Sequence, residues 1–409
     1  MDRLPAITAA SAADSSASSR WIEALGRQDT IITAIFARAG FEPVAPPVIQ
    51  PADLFLDLIG EDLRARTYVF TDPDGAELCL RPDLTIPATR LYLDRFGDSG
   101  QSARFAYNGL VFRYQRVGDN LARPREFRQA GIEHFAPEEP AQAEAEILAL
   151  TVESIRAAGL RAFALRVGDL GIFQALLGAI EMPERWRGQL HHHFWHPAAF
   201  HRQLQKLTNP QALGRAIEAP LLAALEAGRD EASGHGSPIA ALESHLETRG
   251  LSISGTRTLD EIAAQLEGLA ADMRATPLDQ RSAQLLDAYI KLTGPAQATP
   301  DLVRALLRGT GLDIDPALAS FDARLQLAAQ EGIDISDAPF AGSFGRQFEY
   351  YTGFVFEVLS PMLANSTPIA GGGRYDRLVE TISGGRSIAA VGSAIHAERL
   401  LLAVRGGRP

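Results

Sequence analysis

VFRYQRVGDNLARPREFRQAGIEHF, residues Val111–Phe135, reads as a β-hairpin: one strand covers Phe105–Arg116, the return strand covers Phe127–Phe135, and a loop joins them. Five arginines lie between Arg113 and Arg128, in a chain whose formal net charge is −11. A guanidinium fork grips carboxylate or phosphate through paired hydrogen bonds, so arginines gathered on one hairpin point to an anionic ligand. Arg113, Arg125 and Gln129 fall where one ligand could meet all three. The alternative is a solvated hairpin whose arginines face water, and charge pattern alone does not separate the two.

Outward from the hairpin the chain shows three textures. Trp21 to about Val167 alternates helical and strand-like segments: WIEALGRQDTIITAIFARAGF has a helical apolar period ending at Gly40, and RTYVFTDPDGAELCLRP reads as two strands about an Asp-Pro-Asp-Gly turn. From about Gly168 to Pro316 Leu and Ala recur every three or four residues, which reads as a helical insertion. Within it the polar stretch 226–238, EAGRDEASGHGSP, reads as a flexible loop. From Phe321 the mixed texture returns, with a helix to Gly332, a strand over 348–360 (FEYYTGFVFEVLS), and two strand-turn-helix units in IAGGGRYDRLVE and VGSAIHAERLLLAV. The expected divisions are a flexible Ala/Ser tail at 1–18, a first core part at 19–167, an insertion at 168–316 and a second core part at 317–409. The class is α+β.

Composition narrows the function. The 409 residues, 46% hydrophobic with mean hydropathy −0.04, suffice for two or three packed domains. A single cysteine, Cys79, excludes an intramolecular disulfide and a Cys-based zinc site, and fits a reducing compartment such as the cytoplasm. No apolar run approaches a membrane span, and no secretory leader pattern opens the chain. Acidic balance weighs against a nucleic-acid partner.

Five segments in order then carry a resemblance: RPDLT (81–85), FRYQR (112–116), RPREFRQAGIEHF (123–135), GRQFEYYTGFVFEV (345–358) and GGGRYDRLVE (371–380). Together they resemble the catalytic core of histidyl-tRNA synthetase, a class II aminoacyl-tRNA synthetase, over nearly the whole chain from Trp21. The resemblance implies an antiparallel sheet flanked by helices and interrupted by a helical insertion. It also implies a pocket for free histidine. Glu133, Tyr351 and Tyr375 match positions that meet the imidazole; Asp83, Thr85 and Gln129 match those receiving the α-ammonium; Arg346 and Arg113 match those holding carboxylate and reacting phosphate. Tyr350 is expected to pack beneath the site.

The departures shape the functional expectation. Gln115 stands where the family carries an acid that helps to hold ATP, the loop from Val117 to Ala122 is long, and Asp83 replaces a Glu. Ser393 and His396 interrupt a Gly-rich strand that lies beneath ATP in the family, where an imidazole would fill space. After Arg399 ten residues remain, fewer than the roughly 50 an independent domain needs, so no anticodon-binding domain is expected. This combination resembles the regulatory subunits of ATP phosphoribosyltransferase, synthetase paralogues in the first step of histidine biosynthesis. That resemblance implies a non-catalytic subunit with no cofactor, partnered by a short-form catalytic subunit. It further implies a dimer through the synthetase-like core, histidine as feedback ligand, and no role for tRNA. An active synthetase core and a stand-alone histidine sensor are the alternatives. HHHFWH, His191–His196, lacks carboxylate or thiolate neighbours, and only pairs such as His192 and His196 share a helix face, so no metal site is expected there.

Overall fold

The computed structural model describes residues 19–56, 64–97, 99–115, 124–210, 246–248, 259–345, 350–363 and 367–407. The expected tail 1–18, the loops 117–122 and 226–238, and Arg346 lie outside these residues. The chain divides into two compact units, Met1–Ala175 with Leu292–Pro409, and Leu176–Lys291.

The first unit is built on a nine-stranded sheet. Its strands are β1 (Glu42–Pro43), β5 (Ala103–Phe112), β6 (Glu126–Phe135), β7 (Ala164–Asp169), β8 (Thr293–Pro295), β9 (Pro339–Ala341), β10 (Phe354–Leu359), β11 (Pro368–Arg374) and β12 (Ala390–His396). A separate antiparallel sheet holds β2 (Ile49–Pro51), β3 (Tyr68–Thr71) and β4 (Glu77–Leu80), in the order β2-β4-β3. The large sheet runs β1-β5-β6-β12-β11-β10-β7-β9-β8. Its five central pairings, from β5·β6 to β10·β7, are all antiparallel.

The hairpin read from the opening stretch is β5–β6. Its ladder ends at Phe112, earlier than the expected Arg116, although Arg113 N still donates to Arg125 O at 2.9 Å. The strand expected over 348–360 is likewise shorter. Tyr350 to Gly353 precede the ladder, and pairing starts at Phe354. The Asp-Pro-Asp-Gly turn joins β3 and β4 as read: Asp72 Oδ1 accepts from Asp74 N and Ala76 N at 3.0 and 2.9 Å, and Gly75 takes a φ of 89°.

One face of the large sheet is covered by helices Ser19–Arg38, Pro140–Ala157 and Ala397–Val404, with helix Asp315–Gln330 packing on Pro140–Ala157. The amphipathic period of Ser19–Arg38 turns Ile32, Ile35 and Phe36 inward. Ser393 points to this face, where its hydroxyl meets Thr151 Oγ1 at 2.6 Å. A buried ionic group ties the same elements together. Arg324 donates to Glu144 Oε2 at 2.5 Å and to Asp169 Oδ2 at 3.1 Å, while Asp169 Oδ1 accepts from Gly171 N at 2.7 Å and caps the helix that follows β7. Side chains alternate across strands, so the opposite face carries residues 107, 129, 133, 392 and 396.

The second unit is helical, with Glu184–His192, Pro197–Thr208, Leu259–Arg274 and Gln280–Lys291 among its described helices. Trp186 is fully buried, and its indole N–H and the Arg185 guanidinium both meet Asp272 Oδ1. The unit is narrower than the insertion expected over 168–316. Residues 293–316 are partly helical by pattern, but β8 pairs with β9 and joins the sheet of the first unit. Among the described residues no helix is long and apolar enough to cross a membrane.

Candidate functional site

On the other face of the sheet a cavity of about 320 Å³ is lined by residues of the first unit. At its centre is Glu133 of β6, fully buried. Tyr107 Oη donates to Glu133 Oε1 at 2.8 Å, and Tyr375 Oη donates to Oε2 at 2.6 Å. Strand pairing makes this arrangement. Tyr107 on β5 lies across from Gly131, one same-face step from Glu133, while Tyr375 follows the last residue of β11 and its N donates to Ala390 O at 2.8 Å. Thr85 Oγ1 extends the chain, 3.4 Å from Tyr107 Oη.

Burial pushes the Glu133 carboxyl up to about 7, against the lowering pull of the Tyr375, Tyr107 and Thr85 hydroxyls. Burial, and then the charge of Glu133, raises both tyrosine hydroxyls well above their ordinary value, so they remain donors. A carboxylate held by two neutral donors in an enclosed site has unspent acceptor capacity and unneutralised charge. A ligand N–H that carries positive charge supplies both needs.

Of the nine residues singled out from sequence, Asp83, Thr85, Arg113, Gln129, Glu133, Tyr350, Tyr351 and Tyr375 line this one cavity. Asp83 Oδ1 accepts from Ile86 N at 3.2 Å at the start of helix Thr85–Phe96, which aims the side chain. Gln129 Oε1 is buried and accepts no hydrogen bond from a described residue. Arg113 is braced by its Nε, which donates to Pro82 O at 2.8 Å. Tyr350 and Tyr351 lie 5.0 Å apart by ring centroids, and Tyr350 meets Tyr375 edge-on at 5.9 Å, so the three tyrosines form one wall.

Arg125 does not reach the cavity. Its Nε donates to Gln115 O at 2.9 Å and its guanidinium lies over the Tyr114 ring, so it braces the hairpin's end. Arg128 turns to the helical face, where its backbone N is held by Glu398 and its guanidinium pairs with Asp29 at 3.7 Å. The pull toward one shared anion, expected for Arg113 and Arg125 together, rests on Arg113 alone of the two.

The structure adds residues that sequence reading missed. Tyr107 is one, and strand alternation back from Val111 would have turned it inward. Arg166 of β7 and Glu357 of β10 stand opposite each other, joined at 2.5 Å, with the Arg166 guanidinium over Phe344; all three line the cavity. Phe127 and Arg399 line it too. Among the described residues no cluster of three His, Cys, Asp or Glu side chains could hold a metal ion. His191 and His192 end helix Glu184–His192, and the His192 and His193 rings meet edge-on at 5.0 Å.

A family profile described as histidyl-tRNA synthetase matches residues 20–281 and 246–400. The ATP phosphoribosyltransferase regulatory subunit of Allorhizobium ampelinum is 35% identical over 378 residues, 90% of this chain and 95% of its own length. That of Brucella anthropi is 35% identical over 365 residues, 89% and 93% of the two chains. A solved structure from Bacillus halodurans, described as an ATP phosphoribosyltransferase regulatory subunit/histidyl-tRNA synthetase, aligns with a TM-score of 0.64 at 19% identity, covering 96% of this chain and 81% of that one; it speaks to fold. The sheet, its flanking helices and these sequence matches agree: the chain belongs to the family of ATP phosphoribosyltransferase regulatory subunits, built on a class II, histidyl-tRNA-synthetase-like fold.

Proposed function

We propose that this chain is a cytoplasmic, non-catalytic subunit that binds free histidine in the Glu133 cavity and works with a short-form catalytic ATP phosphoribosyltransferase, which it activates and makes sensitive to histidine. The observation that carries the reading is the buried Glu133 carboxylate fixed by the Tyr107 and Tyr375 hydroxyls. In this reading the ligand's imidazole donates to Glu133, with Tyr351 along the same wall. Asp83, Thr85 and Gln129 Oε1, which accepts no hydrogen bond from a described residue, accept the α-ammonium. Arg113 takes the carboxylate, with Arg346 as its expected companion.

Lack of catalysis follows in this reading from the neutral Gln115 and the ring of His396 along the cavity wall. The chain is proposed to pair with itself through the core and to make no functional contact with tRNA. Regulation requires that histidine bind active and inactive assemblies with different affinity, a coupling of about 1–3 kcal/mol in typical cases. Gel filtration of the chain mixed with a short-form catalytic subunit, alongside histidine calorimetry on the chain alone, tests the proposal. Co-elution and saturable histidine binding support it; separate elution with no activation of the catalytic subunit overturns it.

A further inference from the structure

We infer that Asp376 is a positioning residue for the cavity: it ties together the two chain segments that carry Tyr351 and Tyr375, and so sets the aim of the Tyr375 hydroxyl on Glu133. Tyr375 stands between the end of β11 and helix Asp376–Ile382, with φ −143° and ψ 46°, a backbone that belongs to neither strand nor helix. Neither ladder nor helix fixes where its ring goes. Its neighbours do.

Asp376 makes three ties from one position. Its Oδ1 accepts from the N of Ala390, the first residue of β12, at 2.9 Å, its Oδ2 accepts from Arg374 Nε at 2.7 Å, and its own N donates to Thr352 Oγ1 at 3.2 Å. Arg374 and Asp376 thus clasp across Tyr375, whose N donates to Ala390 O at 2.8 Å. Thr352 follows Tyr351, and its N donates to Arg374 O at 2.8 Å, so the segment bearing Tyr351 hangs from the same clasp. Gly353 lets that segment approach: a Cβ there would stand 3.2 Å from Arg374 Cδ. Behind the clasp Arg374 Nη1 lies 3.7 Å from Glu144 Oε1, and Arg324 serves the other oxygen of Glu144.

Stability does not account for the clasp. The Arg374 and Asp376 side chains are 27% and 26% exposed, and an ion pair so open to water contributes little to folding. What the pair does is fix direction. The Tyr375 ring is fully buried and its hydroxyl meets Glu133 Oε2 at 2.6 Å, so a turn of the backbone at 375 carries the donor off the carboxylate.

The inference rests on the reading of Glu133 as the carboxylate that serves the ligand, and its test needs no ligand. Glu133 faces the Tyr375, Tyr107 and Thr85 hydroxyls and the charge of Asp83, and the Tyr375 hydroxyl gives the largest of the pulls that lower its pKa. Losing the aim of that hydroxyl therefore raises the pH at which Glu133 titrates. Carboxyl-carbon NMR of the chain labelled with 13C-glutamate, with Glu133 assigned through Glu133→Gln, follows this in wild type, Tyr375→Phe, Asp376→Asn and Arg374→Met. Circular dichroism confirms fold. Asp376→Asn keeps an acceptor for Ala390 N and breaks the tie to Arg374; Arg374→Met breaks the same tie from the other side. Each is expected to raise the Glu133 midpoint by at least about 0.5 pH unit, as Tyr375→Phe does, and Asp376→Asn combined with Tyr375→Phe to raise it no further. A folded Asp376→Asn or Arg374→Met chain in which Glu133 titrates as in wild type overturns the inference, as does a double variant whose shift is the sum of the two. A Tyr375→Phe chain with no shift overturns it whether or not the other variants fold. Histidine titrated into the same chains reports separately: a raised midpoint with unchanged histidine affinity supports the inference and counts against the amino-acid reading of the cavity.

Discussion

Gly392 of β12 stands directly across the ladder from Glu133 of β6, and a Cβ at position 392 would fall on the Glu133 Oε2 atom. The carboxylate can lie flat along the sheet, between its two tyrosines, only because its neighbour has no side chain. Gly392→Ala must therefore displace Glu133 or the strand. We expect a loss of about 1–3 kcal/mol in stability from overpacking and histidine affinity weakened at least tenfold. Urea unfolding and calorimetry on the same variant check both; unchanged affinity would mean that the carboxylate has no part in binding.

Tyr107 and Tyr375 orient the carboxylate without being interchangeable with it. Tyr107→Phe and Tyr375→Phe each remove one donor to Glu133, which typically costs about 1–3 kcal/mol where a buried partner is left short. Each is expected to weaken histidine binding, and the double variant to lose less than the sum, since both act through one carboxylate. A strictly additive double variant would show that the hydroxyls meet the ligand independently.

The pH dependence of binding follows from one shared proton. Glu133 in the free site titrates at about 7, and free imidazole at about 6.5. The complex needs one proton on the pair, so below about 6 one must leave and above about 7 one must be taken up. Histidine affinity is expected to peak between these values and fall on both sides. In Glu133→Gln the alkaline fall disappears, because a neutral amide accepts from neutral imidazole. Calorimetry from pH 5 to 9 in buffers of different ionisation enthalpy checks the profile and the proton count.

The same shift has a consequence for the unliganded fold. Glu133 is raised from 4.5 to about 7 by folding, so between those values the folded chain binds more protons than the unfolded one. Its contribution is fully present below about 4.5 and lost as pH rises through about 7. Glu133→Gln is expected to be more stable than wild type at pH 8, by roughly 1–3 kcal/mol, with the gap closing near pH 5. Thermal unfolding at the two pH values checks the sign.

Arg324 serves Glu144 and Asp169 at once, and both carboxylates are almost completely buried. Removing one partner from a buried ionic group typically costs about 3–5 kcal/mol. Arg324→Met is expected to lose about that much in urea unfolding, and a change under 1 kcal/mol would show that water reaches the carboxylates.

The sequence made the hairpin and the two Gly- and Tyr-bearing segments legible because each carries its signal locally: alternation, a turn, a glycine run. Alternation back from Val111 gives the face of Tyr107, but its use depends on standing diagonally to Glu133 in the β5–β6 register, which no spacing along the chain expresses. Arg125 misled for the complementary reason. Its charge is visible in the sequence, but its use on the Gln115 carbonyl is visible only in space. The edge of the helical insertion was misplaced because Leu/Ala periodicity reports that 299–307 is helical without saying which body that helix joins. Glu144, Asp169 and Arg324 come from separate elements and meet only when the fold forms.

The central claim is that histidine acts on the catalytic partner through Glu133. Phosphoribosyl-ATP formation by a short-form catalytic subunit, reconstituted with wild type or with Glu133→Gln and titrated with histidine at pH 7, measures this directly. The account predicts that both forms activate the partner and that the Glu133→Gln complex needs at least tenfold more histidine for half-inhibition. A histidine response identical in the two complexes would contradict it.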